Sequence, residues 1–171
     1  LTKAIKENYA RYYFHYLENA LSLMTNLDTS VVIHDLRQLA IKPDFHTALF
    51  PDSILRNEDP YDLVQDVGPT NSINKIYICW MKDVDTLKRG DLLLIYRTSD
   101  GKGSANYRSV ITSLCTVHEV KTFKDFDDEE EFVKYTNQYS VFSADDLRKW
   151  YKHKNNFTVV KMLYNVAFTK R

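Results

Sequence analysis

The side chains from which chemistry could be built in this 171-residue chain are five histidines, two cysteines and a set of aromatic and basic residues. His15, His34, His46, His118 and His153 are scattered, and Asp44-Phe-His46 is the one close acid–histidine pair. A metal needs convergent ligands, so this spacing points to none, and no motif calls for a cofactor. Cys115 and His118 stand three apart on a predicted strand. They project from opposite faces and cannot form a local nucleophile–base pair. Gly101-Lys-Gly-Ser104 lacks the spacing and the following helix of a phosphate-binding loop. The acids from Asp127 to Glu131 read as a solvated helix start. What remains is aromatic and basic: Tyr77, Trp80, Tyr96, Arg97, Lys102 and Arg108, then Arg148, Lys149, Lys152 and Lys154. Aromatic rings stack on bases and Arg/Lys hold phosphates, so this is the composition that a nucleic-acid pocket needs. The plainer reading is strand aromatics with surface lysines nearby, and composition alone weighs toward it.

The elements that must position these residues centre on 75–120. Lys75-Ile-Tyr-Ile-Cys-Trp80, Leu92-Leu-Leu-Ile-Tyr96 and Arg108–Val120 are runs of β-branched, aromatic and aliphatic residues separated by polar, Gly-bearing segments. That is a strand–turn–strand–loop–strand pattern. Leu92 to Tyr96 is apolar at both parities, as in a small barrel wall covered on both faces. Gly90-Asp91 marks a sharp turn into that strand. Arg108–Val120 is long and of mixed parity, which predicts a bulge or bend.

Upstream, Thr2–Leu27 repeats apolar residues at steps of three and four and predicts a long helix, rich in tyrosine between Tyr9 and Tyr16. Val31–Leu36 reads as a strand. Pro43 fits the first turn of a short helix that runs to Phe50 and is closed by Pro51. Residues 52–74 read as a surface excursion, and Ser99–Asn106 as a flexible loop. Downstream, Asp127–Asn137 predicts a helix. Ser143-Ala-Asp-Asp146 resembles a capping box that starts a second helix ending near His153. Phe157–Phe168 is a strand with Val160, Met162, Tyr164, Val166 and Phe168 on one face. Trp80 closes the first strand of the central stretch, whereas Trp150 falls on a predicted helix.

Composition is ordinary for a soluble globular domain, at 44% hydrophobic and 27% charged, with 12 Tyr and 9 Phe. The formal net charge is zero, which argues against indiscriminate polyanion binding. The charge is nevertheless segregated: acids dominate 44–66 and 121–131, and 147–171 carries Lys and Arg without any acid. There is no apolar run of membrane-spanning length and no signal-peptide pattern, so a cytoplasmic chain with no membrane association is expected. Cys79 and Cys115 fall in predicted strands and read as reduced, unpaired thiols. The sequence starts at Leu1, as a piece of a longer protein would.

The order of motifs resembles that of PUA-like domains, the group that includes the EVE, ASCH and YTH relatives. The residues that carry it are Ile41-Lys-Pro-Asp-Phe-His46-Thr-Ala-Leu-Phe-Pro51, Lys75–Cys79, Leu87-Lys-Arg-Gly90-Asp91 through Tyr96-Arg97, Thr112–Val120, and Ser140-Val-Phe-Ser143 before a helix. The likeness is greatest to the PUA-like module that follows an N-acetyltransferase domain in some bacterial proteins. The resemblance implies an α+β fold: a small mixed β-barrel over 31–171 with flanking helices. Residues 1–30 would then be a long N-terminal helix, a linker or the end of a preceding domain. It also implies a cleft that accepts a base or modified nucleotide from RNA or modified DNA, with Tyr77, Trp80, Tyr96, Arg97, Lys102, Arg108, Lys149 and Lys152 as binding residues and no catalytic role. Two alternatives stay open. One is a regulatory or interaction module of a fused or partner enzyme, such as an acetyltransferase. The other is an ASCH-like hydrolase or nuclease, for which Lys82, Thr112 and Glu119 supply the residue types.

Overall fold

Proline and glycine punctuate the chain where its elements begin and turn. A computed structural model describes residues 36–55, 72–102, 108–153 and 156–168. The expected N-terminal helix, all but the last residue of the expected strand 31–36, most of the excursion 52–74 and part of the loop 99–106 lie outside the described residues. Strand β1 (Leu36–Ile41) leads through Lys42 into helix α1 (Pro43–Leu49), with Pro43 at the start of its first turn. The Phe50 amide donates to the His46 carbonyl at 2.8 Å. Pro51 then turns the chain into one 3-10 turn, Pro51–Ser53. Strands β2 (Asn74–Cys79), β3 (Leu92–Arg97) and β4 (Val110–Thr122) follow. Helices α2 (Glu129–Thr136) and α3 (Ala144–His153) precede the last strand, β5 (Thr158–Ala167).

Both late helices start on side-chain caps. The Asp128 carboxylate accepts from the Glu131 amide at 2.8 Å, and the Glu131 carboxylate accepts from the Asp127 amide at 2.8 Å. The Ser143 hydroxyl accepts from the Asp146 amide at 3.1 Å and donates to the Asp146 carboxylate at 2.7 Å. The turn before β3 depends on Gly90, at φ 96°, a conformation that costs any residue with a Cβ. Its amide donates to the Val117 carbonyl at 2.9 Å, while the Asp91 carboxylate folds back onto the Lys88 amide at 2.8 Å.

The strands form one mixed sheet in the order β1-β3-β4-β5-β2, with β1 and β3 parallel and the other pairs antiparallel. This is an α+β architecture with an open sheet whose edges are β1 and β2. Strand pairing among the described residues does not close it into the expected barrel. Three irregularities bend it. Thr112 is the extra residue on β4 between the pairs Ile95–Ser113 and Tyr96–Ile111. His118 is a second, opposite Lys161–Met162, and Asn165 is a third, on β5. Each bulge adds curvature and resets which side chains face the core. Val166 therefore does not follow Met162 inward as strict alternation requires: Met162 is fully buried and Val166 is 46% exposed.

The main core lies on one face of the sheet, where Leu39, Ile41, Leu93, Ile95, Cys115, Val117 and Met162 meet α1 and the aromatic residues of α2 and α3. Phe126, Phe132, Tyr151 and Phe157 form a chain of ring contacts between 4.7 and 6.5 Å. Leu94 and Leu114 face each other across β3 and β4 and are also buried. The strand is thus apolar on both sides because both sides are covered. Cys79 and Cys115 are free and buried. No helix among the described residues is long and apolar enough to cross a membrane.

Candidate functional site

Seven of the eight residues singled out from sequence fall into three places, and Tyr96 stands apart from them. At the first, Arg97 ends β3 with only 1% exposure. One guanidinium nitrogen donates to the Arg108 carbonyl at 2.7 Å, and another pairs with the Asp100 carboxylate at 3.2 Å. Arg108 pairs with the same carboxylate oxygen, and the Lys102 amide donates to the other at 3.0 Å. Burial tends to raise the Asp100 carboxyl, but these hydrogen bonds and the two guanidiniums outweigh it and hold it at about 2. Arg97, Lys102 and Arg108 are therefore brought together, as an ionic knot that ties down the chain after β3. The Lys102 side chain points to solvent. Tyr96 precedes Arg97 on the same strand and faces the other side of the sheet. A single wall made of Tyr96 and Arg97 is excluded by this alternation.

The second place is aromatic. Trp80, just past β2, meets Trp150 of α3 edge to face, with ring centroids 5.3 Å apart and planes at 84°. Phe142 backs Trp150 at 4.8 Å and also touches Phe45 at 4.8 Å and Tyr77 at 6.0 Å. Tyr77 is buried. Burial pushes its phenol up to about 12, partly countered by a hydrogen bond to the Lys42 backbone. Both indoles are half-buried and sit at the border of the main core. Sequence reasoning missed Trp150 as a partner of Trp80, because only the docking of α3 brings them together. A signal was present: Phe142, Leu147 and Trp150 lie near one another in a strongly amphipathic stretch.

The third place is the outer face of α3. Lys149 and Lys152 are exposed. Lys152 pairs with Glu129 at 3.4 Å, and Arg148 lies 3.8 Å from the same carboxylate group. The basic stretch is thus packed beside the acidic start of α2, and the charge segregation seen along the sequence is largely cancelled in space. Lys149 has no acidic partner among the described residues.

The hydrolase residues do not gather. Lys82 is exposed in a turn, Glu119 accepts from the Tyr135 hydroxyl at 2.5 Å, and Thr112 is hydrogen-bonded to His46 at 2.7 Å. Among the described residues no three potential ligands come together around a metal position. No family model, curated protein or solved structure matches this chain.

Proposed function

We propose that this domain is a nucleic-acid-binding module that stacks an unpaired base, plain or modified, against the Trp80–Trp150 corner. The observation that carries this reading is the perpendicular indole pair, half-buried at the end of β2 and braced by Phe142. Two rigid rings fixed at right angles offer one face for stacking and one edge for lateral contact, and every base has a π-face to meet them. The exposed ammonium of Lys149, on the same helix as Trp150, supplies one phosphate contact nearby. In this reading the curved sheet is the wall of a PUA-like barrel, and the hydrogen bond between the Tyr77 phenol and the Lys42 backbone supports that reading.

Tryptophan fluorescence reports directly on the corner. Short single-stranded RNA and DNA, with unmodified and modified bases, are titrated at two salt concentrations. Quenching is expected for at least one member of the panel. Stacking contributes about 1–3 kcal/mol per base, so Trp80→Ala should weaken binding roughly tenfold or more. Absence of binding tighter than about millimolar at low salt, weaker than ordinary non-specific association, sinks the proposal.

A further inference from the structure

The aromatic corner extends beyond its two indoles, and lysines stand beside its rings on three separate elements. Phe142, which backs Trp150, is also in ring contact with Phe45 of α1 and Tyr77 of β2. Lys42 leads into α1 three residues before Phe45, and its backbone is hydrogen-bonded to the Tyr77 phenol. Lys82 follows Trp80 by two residues, so the chain keeps its Cα within about 7 Å of that of Trp80. Lys149 immediately precedes Trp150 on α3. All three lysines are exposed. None of them has an acidic partner among the described residues, whereas Lys152 pairs with Glu129 and Arg148 lies beside both Glu129 and Asp145. Lys82 is also held in place by its turn. The next residue, Asp83, has φ 66°, and its carbonyl accepts from the Thr86 hydroxyl at 2.6 Å and from the Thr86 amide at 3.3 Å. A left-handed residue that carries a side chain persists only where its surroundings fix it. Val84 and Leu87 do so here by entering the core.

We propose that the corner takes an internal segment of single-stranded nucleic acid, about three nucleotides long, with a base stacked on the indoles and the neighbouring phosphates held by Lys42, Lys82 and Lys149. This inference rests on the stacking reading above and narrows its ligand. A free base or nucleoside has no phosphates for these ammonium groups to meet, and a mononucleotide reaches one of them at most. Lysine meets a phosphate as a point charge on a flexible stem, so surface positions around the rings suffice and no enclosed cavity is needed. Exposed acids stand on the same elements: Asp44 on α1, Asp83 and Asp85 on the turn after Trp80, and Asp145 on α3. They weaken the positive field around the rings. Phosphate contacts alone therefore do not hold a strand here, and the stacked base is required. A duplex is excluded, because its bases are already stacked on one another and present no free face to the indoles.

The probes are adenosine, adenosine monophosphate and 5′-phosphorylated oligoadenylates from the dinucleotide to the hexanucleotide, in ribose and deoxyribose forms, with a duplex hexanucleotide beside them. Binding to the full chain is followed by tryptophan fluorescence and by calorimetry at several salt concentrations. Affinity at low salt should rise about tenfold or more from adenosine to the trinucleotide and change little beyond it. The duplex should bind at least tenfold more weakly than the single strand of the same length. The two sugar series distinguish an RNA from a DNA ligand. For the trinucleotide, the slope of log affinity against log salt should be about two to three, and Lys42→Ala and Lys82→Ala should each lower it by about one unit. Both side chains are exposed, and truncating Lys42 leaves its backbone bond to Tyr77 in place. If adenosine binds as tightly as the hexanucleotide, or if both lysine variants keep the parent slope while Trp80→Ala still weakens binding, this inference is overturned and the stacking reading stands. If Trp80→Ala binds the hexanucleotide as well as the parent does, the stacking reading fails and takes this inference with it. No binding at any length overturns this inference, and the fluorescence panel then decides the stacking reading by itself.

Discussion

Lys75 is a buried charge whose titration bears on the stability of the fold. Burial takes its amine from the usual 10.5 to about 8, and Cys115 and Asp52 offset only part of that. In the unfolded chain the same amine titrates at its usual value. Between about pH 8 and 10.5 the unfolded chain therefore binds more protons than the folded one, and the lysine's effect on stability improves as pH rises. Below about pH 8 the penalty is constant, roughly 3 kcal/mol, since each tenfold weakening of proton binding is worth about 1.4 kcal/mol. Lys75→Met keeps the stem and removes the charge. The stability difference between it and the parent should be constant below about pH 8, and between about pH 8 and 10.5 the parent should gain stability relative to Lys75→Met. Parallel urea denaturation of the two proteins measures this. Cys79 and Cys115, pushed up by burial to about 11 and about 12, act in the opposite sense. Their unfolded thiols ionise above about pH 9 while the folded ones do not, so stability falls there. The Cys79 effect is common to both proteins and cancels in the comparison, whereas Lys75 itself holds the Cys115 thiol lower, so in Lys75→Met that thiol ionises at still higher pH.

Among the elements, the stretch following β3 depends on one carboxylate. Asp100 satisfies Arg97, Arg108 and the Lys102 amide. Asp100→Asn removes the charge and takes this anion away from the buried Arg97 guanidinium, which should cost about 2–4 kcal/mol in denaturant unfolding. The carboxyl is held at about 2, below its unfolded value, so its stabilisation is fully present above about pH 4 and is lost as pH falls toward 2. The difference between the two proteins should narrow over that interval. Ser143→Ala removes the cap of α3 and should cost about 1 kcal/mol. It should also loosen Trp150, visible as a shift in tryptophan emission. These starts and stops were readable in the sequence, because Pro43, Gly90-Asp91, Asp128 and Ser143 act through local backbone chemistry. The mixed parity of 108–120 correctly announced bulges but could not place them, since register depends on the partner strand. Placing them is what aims Thr112 at His46 and turns Val166 outward. The Trp80–Trp150 contact and the buried Lys75 were illegible for the same reason: both are consequences of how distant elements dock.

At the scale of the whole molecule, charge is balanced in the total of the chain and, within the described unit, locally as well. Glu129 neutralises Lys152 and approaches Arg148, and Lys121 approaches Glu131 at 4.0 Å. A helix face read from sequence as a phosphate track is mostly committed to its neighbour. Any nucleic acid held at the indole corner should thus show a shallow salt dependence. Lys149→Ala should lower the slope of log affinity against log salt by about one unit, whereas Lys152→Ala should change it less. Titrations at several salt concentrations separate the two. A steep slope that both variants flatten equally would show that the ion pairs with Glu129 do not persist in the complex.

The sheet order also carries a timetable. Among the described residues strand β2 pairs only with β5, so Tyr77 must find Val160 and Lys75 must find Met162. Its near-continuous apolar run leaves the ribosome early and waits for a partner encoded much later. At about 5–20 residues per second, the interval before β5 is synthesised is on the order of ten seconds. The parallel pairing of β1 with β3 closes a long loop of its own, and such distant pairings slow the search for the native state. Over that interval β2 is the segment most in need of protection by a chaperone. A nascent chain arrested before residue 158 should expose it to a hydrophobic dye, and one arrested with β5 wholly outside the exit tunnel should not.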